Sequence, residues 1–362
     1  TPGARPQEPD PRSPTPGAAS FDEMTDISKD FRTGLSALAK ISSLEIVKIQ
    51  TSRDGVKKAL FKLNDGNLIE SVLIPGKSHW TLCVSTQAGC RMGCRFCFTG
   101  KCGFKRDLLP SEITDQVTML RFNTPCGKDI KNIVIMGMGE PLENYDNTLK
   151  AIRIITADCG LAISNRRITL STCGIAPMIR ALGEDESVNL AVSLNAPDNE
   201  TRNLLMPINK KYPLEALIDA CLKYPMPGRR RLTFEYVLIE GVNASLKDAG
   251  SLAGLLRGLR CKLNLIPFNE YPESEFRTPA QTGVEAFRDV LVKHNYTAVI
   301  RVGRGGDILA VCGQLSGRET RQERRMCKKV NPSKRYTRLN RQCRDLCEAV
   351  TGISILSFDP AK

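Results

Sequence analysis

Short apolar runs alternate with longer amphipathic stretches over most of the chain. The runs that predict strands are TLCVST (81–86), NIVIMG (132–137), RITLST (167–172), NLAVSLN (189–195), LTFEYVLI (232–239), KLNLIPFN (262–269) and TAVIRV (297–302). Helix-length stretches between them cover 111–122, 146–157, 245–257 and 280–293. This alternation predicts an α/β fold in which crossover helices join parallel strands. Six or seven such units fit a barrel or an open partial barrel, whose functional residues follow the strands.

The residues before this region predict a smaller accessory segment. Residues 21–45 favour a short helix, with Asp26 or Ser28 as its N-terminal cap. The stretch ALFKL-NDGN-LIESVLIP has alternating runs on either side of an Asp65-Gly66 turn, which predicts a β-hairpin.

Composition shifts at both ends of the chain. Residues 1–20 are rich in Pro and Gly and contain no apolar stretch typical of a signal peptide, which predicts a disordered tail. Between Arg318 and Arg344, eleven Lys and Arg stand against two Glu, a net of +9 within a chain total of +13. That excess indicates either phosphate contact with a nucleic acid or a solvated, partly helical tail.

We therefore predict four regions: a tail (1–20), an accessory region with the hairpin (21–75), an α/β core (76–317) and a basic extension (318–362). No run of eighteen apolar residues occurs, so no membrane span is predicted.

Fourteen cysteines are many for 362 residues. In a long chain without a signal peptide, we expect them to stay reduced in the cytoplasm and a cluster of them to bind metal. Those predicted to be buried or incidental are Cys126, Cys159, Cys221, Cys261, Cys327, Cys343 and Cys347.

Three cysteines, Cys90, Cys94 and Cys97, have the spacing C-x3-C-x2-C. Thiolates spaced in this way hold zinc or an iron–sulfur cluster. Structural zinc requires four protein ligands, and the two histidines, His79 and His294, stand at no usual zinc-finger spacing. The alternative is a [4Fe–4S] cluster with three cysteine ligands, whose fourth iron is open to a substrate.

A C-x3-C-x2-C motif after the first strand of a βα barrel resembles the radical S-adenosylmethionine (SAM) superfamily, and Phe96 within the motif fits the same pattern. The resemblance implies that the open iron chelates the amino and carboxylate groups of SAM. An electron from the cluster then cleaves SAM to a 5′-deoxyadenosyl radical.

The sequence GMGEP at 137–141 resembles the SAM-amino motif of that superfamily. From the residues alone, Gly137 and Gly139 allow close approach of the backbone to a ligand. Glu140 is then either an acceptor for an ammonium group or an ordinary solvent-facing residue of a turn.

Eight stretches together resemble a narrower family. They are LIESVLIP, TLCVSTQAGC, MGMGEPLENYDNTLKAI, RRITLSTCG, SLNAP, MPINKKY, CKLNLIPFN and GDILAVCGQL. In this order they are similar to the RlmN family of dual-specificity RNA methyltransferases, from about Met24 to Gly317. The resemblance implies methylation of C2 of an adenine in 23S ribosomal RNA (rRNA) and in some transfer RNAs (tRNAs).

Two cysteines outside the cluster motif gain roles from this resemblance. It implies that one SAM methylates Cys312, that a second SAM yields the radical that takes a hydrogen from that methyl, and that the methylene radical adds to C2. Cys83 then attacks the Cys312 sulfur, a disulfide bond forms, and the methylated base is released. Such exchange requires a reducing cytoplasm to restore both thiols.

The resemblance also implies a base role for Glu70, which from the residues alone is a solvent-facing hairpin glutamate. It implies SAM contacts by Gly139, Glu140, Ser171, Ser193, Leu194, Asn195 and Asn269. Compared with the family, the N-terminal accessory domain of this chain is short and its C-terminal tail is long.

The expected partners are 23S rRNA and tRNA, an electron donor of the flavodoxin type, and no membrane; a monomer is expected. The target adenine must leave its stack to enter a barrel. Candidate phosphate contacts are the basic residues of 105–107, 228–232 and the C-terminal extension.

Two rival functions remain open at this point. The first is methylation of C8 of the same adenine, of the antibiotic-resistance type, although Pro141 after the SAM-motif glutamate favours C2. The second is a non-catalytic, zinc-stabilised RNA-binding protein, which leaves Cys83, Cys312 and GMGEP unexplained.

Overall fold

The computed structural model describes residues 20–39, 44–226, 228, 230–271 and 274–317. Its strands are β1 Glu45–Thr51, β2 Lys57–Lys62, β3 Leu68–Pro75, β4 Trp80–Cys83, β5 Gln87–Gly89, β6 Phe104–Asp107, β7 Ile130–Ile135, β8 Ile168–Thr172, β9 Asn189–Ser193, β10 Leu232–Leu238, β11 Cys261–Pro267 and β12 Thr297–Ile300. Its α-helices are α1 Lys29–Leu38, α2 Phe98–Lys101, α3 Pro110–Asn123, α4 Tyr145–Thr156, α5 Ala176–Asp185, α6 Asn199–Leu205, α7 Leu214–Lys223, α8 Leu246–Leu255 and α9 Gln281–Lys293.

Ten of these strands form one sheet in the order β1-β2-β3-β4-β7-β8-β9-β10-β11-β12. From β4 to β12 all neighbours are parallel, which confirms the predicted α/β fold. At the other end, β1, β2 and β3 extend the sheet with antiparallel neighbours, and β3 is antiparallel to β4. The predicted hairpin is therefore continuous with the parallel sheet.

The core lies between the sheet and its crossover helices. Strand residues such as Ile133, Leu170, Leu190 and Leu263 are fully buried, as expected for strands covered by helices. The helices contribute one apolar side each, represented by Ile152 of α4. All seven predicted core strands and the four predicted helices are present within a few residues of their expected ends.

Local signals at the N-terminal side are partly confirmed. Ser28 caps α1, because its side chain accepts the Phe31 N–H at 3.3 Å. Strand β1 was not predicted; it lies at the sheet edge, where its residues are mostly exposed or half-buried, so its apolar pattern is weak. The small antiparallel pair β5–β6 was also not predicted.

Some predictions fall on residues that the structure does not describe. They are the tail over 1–19, the basic extension 318–362 with Cys327, Cys343 and Cys347, and part of the basic stretch 228–232. In the described part of the chain, no helix is long and apolar enough to cross a membrane.

Candidate active site

A cavity opens where the parallel strands end. Its wall comes from β7 to β11, from the loop after β5 and from the last described residues of the chain. The predicted site residues that line it are Cys90, Cys94, Cys97, Gly139, Glu140, Ser171, Ser193, Asn195, Asn269 and Cys312. Three further predicted residues, Glu70, Cys83 and Leu194, are not part of the wall.

The three predicted cluster ligands lie in the loop between β5 and β6. Cys90 directly follows β5, and Cys97 directly precedes the short helix α2. Gly89 has a φ of 82°, and a Cβ there would lie 1.8 Å from the Gly103 carbonyl oxygen. Only glycine therefore lets the loop fold back, so that the Cys90 N–H donates to that carbonyl at 3.2 Å.

The thiols of this loop are poorly solvated. Burial raises the pKa of Cys90, to about 12, and raises those of Cys94 and Cys97. The charges of neighbouring thiols raise the pKa values of Cys90 and Cys94 further. Thiolates here need a cationic centre to stabilise them, and metal coordination supplies one.

The arrangement of the thiols bears on which metal centre fits. Within the described ranges, no three His, Cys, Asp or Glu side chains converge so as to hold a single metal ion. A tetrahedral zinc requires four ligands about 2.3 Å from one ion for sulfur. Three cysteines around one cavity are a ligand set that an iron–sulfur cluster can use.

Glu140 is a buried carboxylate, 3% exposed, which excludes the solvent-facing alternative. Its Oε2 accepts the Cys173 N–H at 2.7 Å and its Oε1 accepts the Leu142 N–H at 3.0 Å. Burial raises its pKa, and these hydrogen bonds oppose that rise. The Thr172 and Cys173 side chains also donate to this carboxylate, so its predicted contact with an ammonium group in the cavity remains a prediction.

Gly139 brings the backbone close to the loop before the cysteines. Its φ is 106°, and a Cβ there would lie 2.6 Å from the Gln87 Cβ. The Gln87 side chain receives the Glu140 N–H at 2.8 Å. The glycine thus allows the contact that fixes where Glu140 sits.

Polar side chains at the ends of β8 and β9 also line the cavity. Ser171 lies on β8 and Ser193 on β9, both facing the cavity. Asn195 has a φ of 58°, and its Oδ1 accepts the Val237 N–H at 2.8 Å, which fixes the turn after β9. Leu194 is fully buried, so its predicted contact with SAM remains a prediction.

Cys83 and Cys312 are far apart in sequence, but the fold brings them near enough for the charge of Cys312 to affect Cys83. Cys83 is buried at the end of β4. Burial raises the pKa of its thiol above the usual range, and the charge of Cys312 raises it further. Cys312 is accessible at the cavity wall, yet desolvation by surrounding protein raises its pKa to about 11, with the charges of Glu235 and Cys97 adding to it.

The structure does not support the expected disulfide bond. Cys83 and Cys312 are both free thiols, as are the other described cysteines. The resemblance implies that bond only at one stage of turnover, so reduced thiols are the form expected before reaction.

Glu70 is 2% exposed, which excludes a solvent-facing position. Its Oε1 lies 2.9 Å from Lys58 Nζ, and its Oε2 accepts the N–H groups of Ser316 at 2.7 Å and Gly317 at 3.1 Å. The carboxylate is thus engaged outside the cavity, and its predicted base role remains a prediction.

Sequence reasoning missed several residues at this site. Glu235 lines the cavity beside Ser193, its partner on β9, and accepts from Asn264 Nδ2 at 2.7 Å; burial raises its pKa. Cys173 also lines the cavity. Two sequence features could have identified these residues as part of the site. Cys173 directly follows strand β8, and Glu235 is a charged residue within the apolar strand β10.

The sequence of this chain is similar to those of known proteins. The sequence profile of the Radical SAM superfamily matches residues 84–251. The dual-specificity RNA methyltransferase RlmN of Syntrophus aciditrophicus is 62% identical over 302 residues, which cover 83% of this chain and 87% of that protein. RlmN of Desulfosudis oleivorans is 52% identical over 300 residues, covering 83% of this chain and 81% of that protein.

A solved structure gives the same result in three dimensions. A radical SAM methyltransferase from Sphaerobacter thermophilus matches with a TM-score of 0.79 at 42% identity, covering 83% of this chain and 89% of that one. The similarity therefore extends over most of the chain.

Proposed function

Since this chain belongs to the RlmN family of dual-specificity RNA methyltransferases, we propose that it methylates C2 of an adenine in 23S rRNA and in tRNA through a methylated cysteine. It is a radical SAM methyltransferase by family and fold. The observation that supports the two-cysteine route is the position of Cys312 on the same cavity wall as the three loop cysteines. Cys83 is near enough for the charge of Cys312 to raise its pKa.

Cys90, Cys94 and Cys97 would hold the [4Fe–4S] cluster, and the cavity beside them would bind SAM. When bound, these groups supply the electron, the methyl group and the hydrogen-abstracting radical. Glu140 would accept a hydrogen bond from the amino group of SAM, and Gly139 would contribute to the wall beside it. The remaining proposed contacts are Ser171, Ser193, Leu194, Asn195 and Asn269.

C2 of adenine lies between two ring nitrogens and is electron-poor, so it cannot attack a methyl group as an ordinary nucleophile. In the proposed route a methylene radical on the Cys312 sulfur adds to C2. The adduct gives up one electron, which the oxidised cluster would take back, and the C2 proton, which passes to a base. Cys83 attacks the Cys312 sulfur. As the S–S bond forms, the S–C bond breaks, and the electron pair left on carbon takes a proton to complete the methyl group.

This route sets requirements on partners. The adenine must be turned out of its stack to reach the cavity. A one-electron donor, for which we propose a flavodoxin-type protein, must serve the cluster, and a reducing cytoplasm must restore the Cys83 and Cys312 thiols. We propose that the chain acts as a monomer.

The test is reconstitution under anaerobic conditions followed by reaction with rRNA and tRNA fragments. We expect about four irons with matching sulfide per chain and 2-methyladenosine in nucleoside mass spectrometry. Cys94→Ala should lose both signals. The product 8-methyladenosine, or one zinc without sulfide, would contradict the proposal.

A further inference from the structure

The ion pair between Lys58 and Glu70 is buried on the inner side of the accessory hairpin. Their side chains are 6% and 2% exposed, and Nζ lies 2.9 Å from Oε1. Removing one partner from such a pair leaves an uncompensated buried charge, which is strongly unfavourable. Lys58 and Glu70 therefore need each other, and they also need the polar groups that surround them.

Those groups lie on the segment that carries Cys312, residues 309–317, which we name the Cys312 segment. Lys58 Nζ donates to the Leu309 carbonyl at 3.4 Å, on the N-terminal side of Cys312. Glu70 Oε2 accepts the Ser316 and Gly317 N–H groups, on its C-terminal side. The ion pair thus contacts the backbone on both sides of the reactive thiol.

The loop from Cys90 to Lys101, between β5 and β6, is named the cysteine loop and ends in helix α2. The middle of the Cys312 segment is hydrogen-bonded to this helix instead. The Phe98 N–H donates to the Gly313 carbonyl at 2.7 Å, and Thr99 Oγ1 donates to the Leu315 carbonyl at 2.6 Å. Gly317 also lies tightly against the hairpin, because a Cβ there would come within 2.3 Å of the Leu68 carbonyl oxygen. The segment is therefore held between the hairpin and the loop.

The strand register shows that Lys58 and Glu70 lie on the same face of the sheet as Cys83. Lys58 is paired with Val72, and Val72 is paired with Cys83 on the next strand. Directly paired residues of antiparallel strands share a face, and so do residues two apart on one strand, such as Glu70 and Val72. Lys58, Glu70 and Cys83 therefore share one face of the sheet, toward which the Cys312 segment is drawn.

We propose that Lys58 and Glu70 are positioning residues that hold the Cys312 segment so that its thiol meets Cys83. In this role Glu70 acts through the segment rather than as a base on the substrate. The proposal rests on the proposed function only in taking Cys83 and Cys312 as reaction partners.

The first test needs neither SAM nor RNA, so it is independent of the proposed methylation. The full chain is equilibrated anaerobically in glutathione redox buffers, and the peptide that links Cys83 to Cys312 is quantified by mass spectrometry. The ratio of linked to free thiols gives the effective concentration of one thiol at the other. Lys58→Met and Glu70→Gln should each lower it by about tenfold or more.

A matched control exists on the same strand. Lys62 pairs with Glu45 at 3.5 Å, but these side chains are 50% and 65% exposed. Lys62→Met and Glu45→Gln should leave the effective concentration unchanged, since an exposed pair contributes little. Equal values for the control variants and for Lys58→Met and Glu70→Gln would overturn the proposal.

The double variant Lys58→Met/Glu70→Gln guards against simple misfolding. It removes both buried charges, and the Gln oxygen can still accept the Ser316 and Gly317 amides. We expect it to recover thiol pairing to within about threefold of the parent and to recover RNA methylation with it. Recovery of pairing without methylation would show that Glu70 is a base and would overturn the positioning role.

Discussion

Arg202 shows how one residue can organise the cavity without lining its wall. It is fully buried, and its guanidinium donates to the carbonyls of Leu194 at 3.1 Å, Cys173 at 2.6 Å and Ser193 at 3.3 Å. It thereby joins the ends of β8 and β9. Burial lowers its pKa, and nearby thiols oppose that shift. No carboxylate pairs with it in the part of the chain that the structure describes.

Replacing Arg202 should therefore loosen both strand ends. Arg202→Lys keeps the charge but cannot reach three carbonyls in a planar fork. We expect SAM affinity to fall by roughly ten- to a hundredfold, as for loss of one or two charge-assisted hydrogen bonds. Equilibrium dialysis on the reconstituted protein measures this. Arg121→Lys is the control, because Arg121 donates to Leu161 away from the cavity; equal affinities in both variants would contradict the role.

At the scale of elements, the strands and helices that have a clear local pattern of apolar residues can be predicted from the sequence. The parallel strands are short apolar runs and the helices are long amphipathic stretches, so both could be located. The edge strand β1 could not be located, because its burial is weak. The environment of Glu70 was missed for a different reason: its partners Ser316 and Gly317 are remote in sequence, and only the folded sheet brings them together. Arg202 likewise looks like an exposed helix residue.

Helix α3 carries a carboxylate whose ionisation opposes folding. Desolvation raises the pKa of Asp115 to about 6; the Leu44 N–H opposes this and the Glu112 charge adds to it. Because the folded pKa lies above the unfolded one, stability is lost as pH rises from about 4 to 6. Asp115→Asn should therefore raise the free energy of unfolding by about 1 kcal/mol at pH 8, after allowance for partial exposure.

Urea unfolding at pH 8 and at pH 3.5 checks this. The gain should nearly vanish at pH 3.5, where Asp115 is mostly protonated in both states. The exposed residue Asp158 supplies the control variant Asp158→Asn. A gain at pH 3.5 as large as at pH 8, or no gain at pH 8, would contradict the explanation.

At the scale of the whole described molecule, the two ends of the sheet are brought together by loops. The turn after β1 contacts the loop after β12. The Arg304 side chain donates to the Asp54 carbonyl at 2.8 Å and to the Pro75 carbonyl at 2.6 Å. The Gly305 N–H donates to the Asp54 carboxylate at 2.9 Å. Ser52 also hydrogen-bonds Asp307. This closure places the Cys312 segment next to the hairpin and puts Cys312 on the cavity wall with the cysteine loop. The proposed function adds Cys83 to this site.

The central claim is that Cys312 carries the methyl group and Cys83 releases the product. The measurement is denaturing gel electrophoresis of Cys83→Ala and Cys312→Ala purified from cells, with and without ribonuclease treatment. Cys83→Ala can still load Cys312 and attack C2, so a protein–RNA thioether should accumulate as a ribonuclease-sensitive, slowly migrating band. Cys312→Ala has no sulfur to load, so it should carry no RNA. Absence of the band from Cys83→Ala, or an equal band from Cys312→Ala, would contradict the two-cysteine route.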